Sequence, residues 1–198
     1  QAGIDFDIYG GTSIGSAMAA AFAMGIEGAE LVARIDDIFL KGRALRRVTV
    51  PRYALLDHRR LDAKLHAHFS DLDIADMWKP FYAVATDLDT NRLAILRAGP
   101  LWQAIRASSA LPGILPPFIR SGNSVLVDGS ILDNLPYRTM HALKAGPNVV
   151  VSLARKEMPT FDYAYDKIPG RLGLLLRSLH PRTRRYWAAP SATETIMR

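Results

Sequence analysis

The chain has 198 residues, 49% of them hydrophobic and 22% charged, a formal net charge of +6 and no cysteine. That length buries one substantial core but not two comfortable domains, and the cysteine count excludes disulfides and thiolate metal sites and fits a reducing compartment. The longest uncharged apolar stretch near the front, residues 14–26, is shorter than the ~20 residues a membrane-spanning helix needs.

The chain opens at Gln1 rather than Met and shows no basic segment followed by an apolar one, so no signal peptide is expected and Gln1 is expected to lie inside a longer protein. Ile4 to Tyr9 alternates apolar and polar residues, the pattern of a strand. Gly10 to Gly15 then reads as a sharp turn, and Ser16 to Met24 as a helix with small residues on every face, able to approach a sheet closely. Leu31, Ile35, Ile38 and Phe39 recur at helical spacing within 30–40, before Lys41-Gly42, a C-cap pattern. Basic residues and Pro51 interrupt periodicity between 42 and 56, and Arg59 to Phe69 is a second amphipathic helix.

A short helical turn over 73–78 stops at Pro80, and Phe81 to Thr86 is a nearly continuous apolar run, as in a strand covered on both faces. Leu93–Leu96 is its expected neighbour. A helix follows over 100–108, then the apolar, proline-punctuated loop from Leu111 to Phe118. Val125–Val127 is a strand ending at Asp128-Gly129, 136–144 a helix, and Val149–Leu153 a further buried strand. Alternating strands and helices predict an α/β fold with a largely parallel sheet.

The chemistry concentrates at Gly11-Thr12-Ser13-Ile14-Gly15. A serine flanked two residues away by glycines, between a strand and a helix, fits a nucleophile elbow, with flanking side chains excluded by close packing on either side. The helix N-terminus favours an oxyanion there, and the Ile14 backbone N–H is the candidate donor. The plainer reading is an ordinary turn with Ser13 as a helix cap. Asp128, at the end of another strand, is the candidate base, though Asp-Gly alone reads as a plain turn. Of the histidines, His66 and His68 diverge on their helix and cannot share a metal. His141 lies within a helix, and His180 is the stronger contender for a Ser-Asp-His triad.

Three further stretches join the elbow: Arg106-Ala107-Ser108-Ser109-Ala110-Leu111-Pro112-Gly113-Ile114-Leu115-Pro116-Pro117, Leu126-Val127-Asp128-Gly129-Ser130, and Asn134-Leu135-Pro136. Together, in this order, they resemble the signature blocks of patatin-like phospholipases. Ile74 to Phe81, Thr86-Asp87-Leu88 and Leu101-Trp102 are most similar to the neuropathy target esterase branch. The resemblance covers nearly the whole chain. It implies a three-layer patatin-like fold whose first strand and glycine-rich oxyanion loop would precede Gln1, along with any cyclic-nucleotide-binding module or membrane anchor. It also implies a serine lipid acyl hydrolase of phospholipase or lysophospholipase type, using a Ser-Asp dyad and no cofactor or metal. Ser13 matches the nucleophile, Asp128 the dyad aspartate and Asp87 a structural brace. Ser130 departs from the family's usual Gly or Ala. Leu111, Ile114, Leu115 and Phe118 are the candidate acyl-chain wall.

The domain is expected to fill 1–198, with 156–198 a basic helical extension of it. Charge is concentrated in 41–60 and 155–198, which carry net +6 and +5 against −5 for the remainder. Such stretches are either solvated faces or attraction to anionic lipid headgroups; no nucleic-acid module accompanies them. The expected setting is cytoplasmic, with peripheral contact at an anionic membrane and a phospholipid or lysophospholipid as substrate. The rival reading is a noncatalytic lipid-binding or regulatory module that keeps the elbow as architecture.

Overall fold

The computed structural model describes residues 5–41, 54–120, 122 and 124–153. Two compact units divide the chain, Gln1–Val150 and Val151–Arg198. The basic segment 156–198, His180, Gly42 and the interrupted stretch 42–53 lie outside the described residues.

Strand β1 spans Tyr9–Thr12 and runs into helix α1, Ile14–Ala23. The strand starts later than the alternation from Ile4 predicts, because Asp5 turns its carboxylate onto the Phe6 N–H and ladder pairing begins at Tyr9. The six buried residues of α1 are Ser16, Ala17, Ala19, Ala20, Ala21 and Ala23, and their small side chains let the helix lie close against the sheet. Helix α2, Gly28–Ile35, continues as a π-helical turn over Asp36–Lys41. Helix α3, Arg59–Phe69, buries Leu61, Leu65 and Phe69 at four-residue spacing, each burial being worth about 1.5–3 kcal/mol.

Strand β2, Phe81–Asp87, is the axis of the sheet, with six of its seven residues buried. Strand β3, Arg92–Leu96, pairs antiparallel along one of its edges. The other edge is shared. Strand β1 runs parallel to its first half, Tyr9 opposite Phe81 through Thr12 opposite Val84. Strand β5, Val125–Asp128, runs antiparallel to its second half, Asp128 opposite Ala85 and Leu126 opposite Asp87. The short strand β4, Phe118–Ile119, extends the sheet beyond β5. The sheet is therefore mixed, and its parallel pairing is that of β1 with β2. The α/β class expected from the sequence is what the chain adopts.

Alternate residues of β2 serve two layers. Phe81, Ala83 and Ala85 join the core with Ala17, Ala20, Leu61, Leu101 and Ile105, from α1, α3 and helix α4, Leu101–Ser108. Tyr82 alternates with them, and its hydroxyl donates to the Pro136 carbonyl at 2.9 Å, just before helix α5, Tyr137–Leu143. Arg106 on α4 is 2% exposed, and its guanidinium donates to Asp62 of α3 at 2.7 Å and to the Pro116 carbonyl at 2.9 Å. That pair, a buried guanidinium on a half-buried carboxylate, ties α4, which ends beside the elbow, to its neighbours.

The apolar run Val149–Leu153 is a correction. No described ladder includes it, and Val149, Val151 and Leu153 are each more than 70% exposed. A continuous apolar run becomes an interior strand only where ladder hydrogen bonds pair it, and none is formed there among the described residues.

Candidate active site

The shared edge of β2 is what builds the site. Strands β1 and β5 approach along it from opposite directions, and their last residues, Thr12 and Asp128, stand opposite the adjacent residues Val84 and Ala85. The chain must leave the edge at that meeting point. It does so through Ser13 on one side and the Asp128-Gly129 turn on the other. Two side chains 115 residues apart thus come together, and the Ser13 hydroxyl donates to Asp128 Oδ2 at 2.7 Å. The two side chains meet because β1 and β5 run head to head along one edge of β2, not because they end parallel neighbouring strands.

The local backbone explains why the serine is presented this way. Ser13 has φ 54° and ψ −130°, a region that non-glycine residues rarely occupy and that persists only when surroundings hold it. An ordinary N-cap serine has extended dihedrals and bonds its hydroxyl to its own helix. Ser13 makes no such side-chain cap bond; its oxygen is committed to Asp128. Its carbonyl accepts from the Ser16 N–H at 2.9 Å and the Ser16 hydroxyl at 2.6 Å. Among the described residues the Ile14 N–H, first in α1, has no acceptor, as expected for a first-turn amide.

The two glycines of the elbow differ. A Cβ on Gly11 would lie 2.4 Å from the Gly15 carbonyl oxygen, so the strand-to-helix approach requires glycine there. A Cβ on Gly15 would meet no atom within 4 Å, which corrects the expectation that both flanks are sterically closed. Gly129 is the counterpart on the other side, where a Cβ would lie 2.3 Å from the Val84 carbonyl oxygen.

Asp128 is fully buried. Its two oxygens divide the work: Oδ1 accepts from the Ser130 N–H at 2.8 Å, closing the Asp-Gly turn, while Oδ2 takes Ser13. The Ser130 side chain is thus no obstacle, since its backbone makes the turn. Burial pushes the Asp128 carboxyl above its ordinary value of 3.8, against the lowering effect of those hydrogen bonds. A carboxylate with raised proton affinity is a better general base.

Asp87 stands at the end of β2 and takes no part in the pair. It accepts from the Asp89 and Thr90 amides and the Ser124 hydroxyl, joining the β2–β3 turn to the approach of β5. The described histidines also stay apart: His66 contacts Asp71 at 3.0 Å, His68 contacts Asp37 at 2.7 Å, His58 lies 3.7 Å from Asp62, and His141 meets the Tyr137 ring. Among the described residues no group of three or more His, Asp or Glu is arranged to hold a metal ion.

Of the four residues expected to wall an acyl chain, Leu115 is the most buried. A turn from Leu111 folds it inward, 3% exposed, into the core. Leu111 is half-buried, and Ile114 and Phe118 pack partly buried against that core. Phe118 also lines a pocket with Leu96, Pro100, Ala104, Ala107 and Leu126; Ser13 and Asp128 are not among its lining residues.

Sequence reasoning gave no role to Ser108 or Thr12. The Ser108 hydroxyl accepts from the Ser13 N–H at 2.9 Å and donates to the Val84 carbonyl at 2.6 Å. The Thr12 hydroxyl donates to the Asp133 carbonyl at 3.0 Å, pinning the turn after Asp128 beside the elbow. The available signal was a run of small polar residues, Ser108-Ser109, closing an amphipathic helix.

A strained serine at a strand-to-helix turn, bonded to a buried carboxylate on an α/β sheet, has the parts of a serine acyl hydrolase site. A family model of patatin-like phospholipases matches residues 1–141. Over 100% of its length the chain is 33% identical to an uncharacterized NTE family protein of Mycobacterium bovis, covering 33% of that protein. It is 30% identical to patatin-like phospholipase domain-containing protein 7 of Rattus norvegicus over 77% of this chain and 12% of that one. With patatin-like phospholipase domain-containing protein 6 of Mus musculus it shares 27% identity over 91% of this chain and 14% of the other. The chain belongs to the patatin-like phospholipase family, whose members hydrolyse lipid esters. It spans about a third or less of the length of these relatives. No helix of the described residues is long and apolar enough to cross a membrane.

Proposed function

We propose that this chain is the catalytic domain of a phospholipase or lysophospholipase that works through a Ser13–Asp128 dyad. The observation that carries this is the 2.7 Å bond from the Ser13 hydroxyl to a buried, proton-seeking carboxylate. Ser13 Oγ attacks the ester carbonyl carbon as its proton passes to Asp128 Oδ2, and the carbonyl oxygen becomes an oxyanion facing the Ile14 N–H at the α1 terminus. Collapse breaks the ester C–O bond, and the leaving alkoxide takes the proton from Asp128. A water then gives a proton to Asp128 and attacks the acyl-serine; Ser13 recovers its proton and a fatty acid leaves. No histidine enters this cycle.

A lipid substrate is supported by family membership and by the surface beside the dyad. Ile131 and Leu132, in the turn directly after Asp128, are 49% and 50% exposed although Thr12 fixes that turn in place. Apolar side chains held outward at the mouth of a hydrolytic site suit an acyl chain or the surface of a lipid aggregate. The basic stretches within 41–60 and 155–198 would add attraction to anionic headgroups, with the protein peripheral to the membrane on its cytoplasmic side. In full-length protein, hydrolysis of lysophosphatidylcholine lost in Ser13→Ala and Asp128→Asn, and a fluorophosphonate adduct on Ser13, are the expected results. Lipid binding with neither turnover nor adduct would identify a noncatalytic module instead.

A further inference from the structure

We propose that Ser108 is a positioning residue for the dyad: its hydroxyl holds the backbone of Ser13 in the conformation that delivers the nucleophile to Asp128. The proposal rests on the reading of Ser13 and Asp128 as the reacting pair.

The β1–β2 ladder ends where Thr12 stands opposite Val84. One residue later the chain turns away into the elbow, and the Ser13 N–H and Val84 carbonyl sit at an unpaired step next to the start of β5. Buried backbone groups of this kind require partners. Ser108, fully buried at the end of α4, supplies both, accepting from the Ser13 N–H at 2.9 Å and donating to the Val84 carbonyl at 2.6 Å. One hydroxyl therefore continues the ladder across the gap while the backbone departs from it.

Three consequences follow from that position. The bond fixes the orientation of the peptide preceding Ser13, whose φ of 54° would otherwise relax toward commoner dihedrals and swing Oγ off Asp128. It occupies the Ser13 N–H, so the Ile14 N–H remains the elbow's amide for an oxyanion. It also makes α4 a support of the site, which places the Arg106–Asp62 pair two residues before Ser108 in the same structural chain. The neighbouring hydroxyl provides a contrast: Ser109 is 6% exposed and its Oγ has no partner among the described residues. Two adjacent buried serines thus differ in whether they touch the elbow.

The test compares Ser108→Ala, Ser108→Thr and Ser109→Ala in the full-length protein, with p-nitrophenyl butyrate turnover normalised to the fraction of Ser13 labelled by a fluorophosphonate. Ser108→Ala is expected to lower kcat by about 30- to 100-fold, the scale of a misplaced reacting group, with KM changed less than about threefold. Its acidic pH limb should move upward, because the Ser13 hydroxyl bond that holds the Asp128 carboxyl down is weakened. Ser108→Thr keeps the hydroxyl and should recover to within about tenfold of wild type, while Ser109→Ala should stay within about threefold. A normal kcat per labelled serine in Ser108→Ala, an equal loss in Ser109→Ala, or no recovery in Ser108→Thr would each overturn the proposal. If Ser108→Ala does not yield folded protein, Ser108→Cys takes its place, with the same shape, a weaker hydrogen bond and the same criteria. An inactive wild type with no Ser13 adduct would overturn the hydrolase reading itself, and this inference with it.

Discussion

Asp87 and Asp128 end two strands that pair with each other, two ladder steps apart, and their chemistry is opposite. Asp87 is only half-buried; desolvation opposes its charge, but the Asp89 and Thr90 amides and the Ser124 hydroxyl outweigh it and hold the carboxyl below 3.8. Asp128 has fewer donors and complete burial, which hold it above that value. The first is a finished structural acceptor. The second keeps proton affinity in reserve and spends one oxygen on a serine. Position at a strand end does not set a carboxylate's proton affinity; the balance of burial against donated hydrogen bonds does.

The comparison breaks most sharply under isosteric substitution. Asp128→Asn, like Ser13→Ala, should lower kcat by on the order of 10³-fold or more while the protein remains folded by circular dichroism, since a nucleophile and its base act as a unit. An effect of similar size from Asp87→Asn would dissolve the distinction between the two carboxylates.

The elbow offers a second contrast, between its glycines. Gly11→Ala drives a Cβ into the Gly15 carbonyl, and such overpacking is worth about 1–3 kcal/mol of stability. It should also displace Ser13, visible as a lower melting temperature together with weak fluorophosphonate labelling. Gly15→Ala meets open space within the chain and should leave the melting temperature near wild type.

Titration sharpens the pair further. Asp128 must be ionised to act as a base, so kcat/KM should rise with pH along a limb lying above 3.8, and Asp87→Asn should leave that limb in place. The stability signs are opposed. Asp128, raised in the fold, subtracts stability as pH rises from 3.8 through its higher folded value. Asp87, lowered in the fold, contributes stability above 3.8 that is lost as pH falls through its depressed value. Denaturation of Asp87→Asn and Asp128→Asn across pH 3–6 should therefore flatten opposite slopes. Asp87→Asn should change kcat by less than about threefold.

The smallest effect concerns the rim. Ile131→Asp with Leu132→Asp should leave p-nitrophenyl butyrate hydrolysis within about twofold yet slow hydrolysis of phospholipid vesicles by about five- to tenfold, through lost apolar contact. Equal effects on both substrates would place these residues in packing rather than at a lipid surface.

Much of this was legible in the chain because local rules dominate it. Helix α3 over Arg59–Phe69 and strand β2 from Phe81 match the expected elements closely, as the periodicity of Leu61, Leu65 and Phe69 and the unbroken apolar run leave little choice. Ser13 and Asp128 were nameable because each lies close to a glycine, Gly11 or Gly129, at a turn where a Cβ would run into backbone. How the two meet was not legible. Sharing one edge of β2 is a property of the sheet's order, and no local pattern encodes which strand runs antiparallel. Ser108 was missed for a related reason, since its role lies in two hydrogen bonds to segments 24 and 95 residues away. Val149–Leu153 failed the other way: its composition fits a buried strand, but a strand also needs a neighbour.

The rate at which a fluorophosphonate labels Ser13 in the full-length protein, read by peptide mass in wild type and Asp128→Asn, tests the dyad most directly. An adduct on Ser13 that forms at least about 100-fold more slowly in Asp128→Asn is predicted. Labelling of Ser13 at an undiminished rate in that variant, or an adduct on another residue, would contradict it.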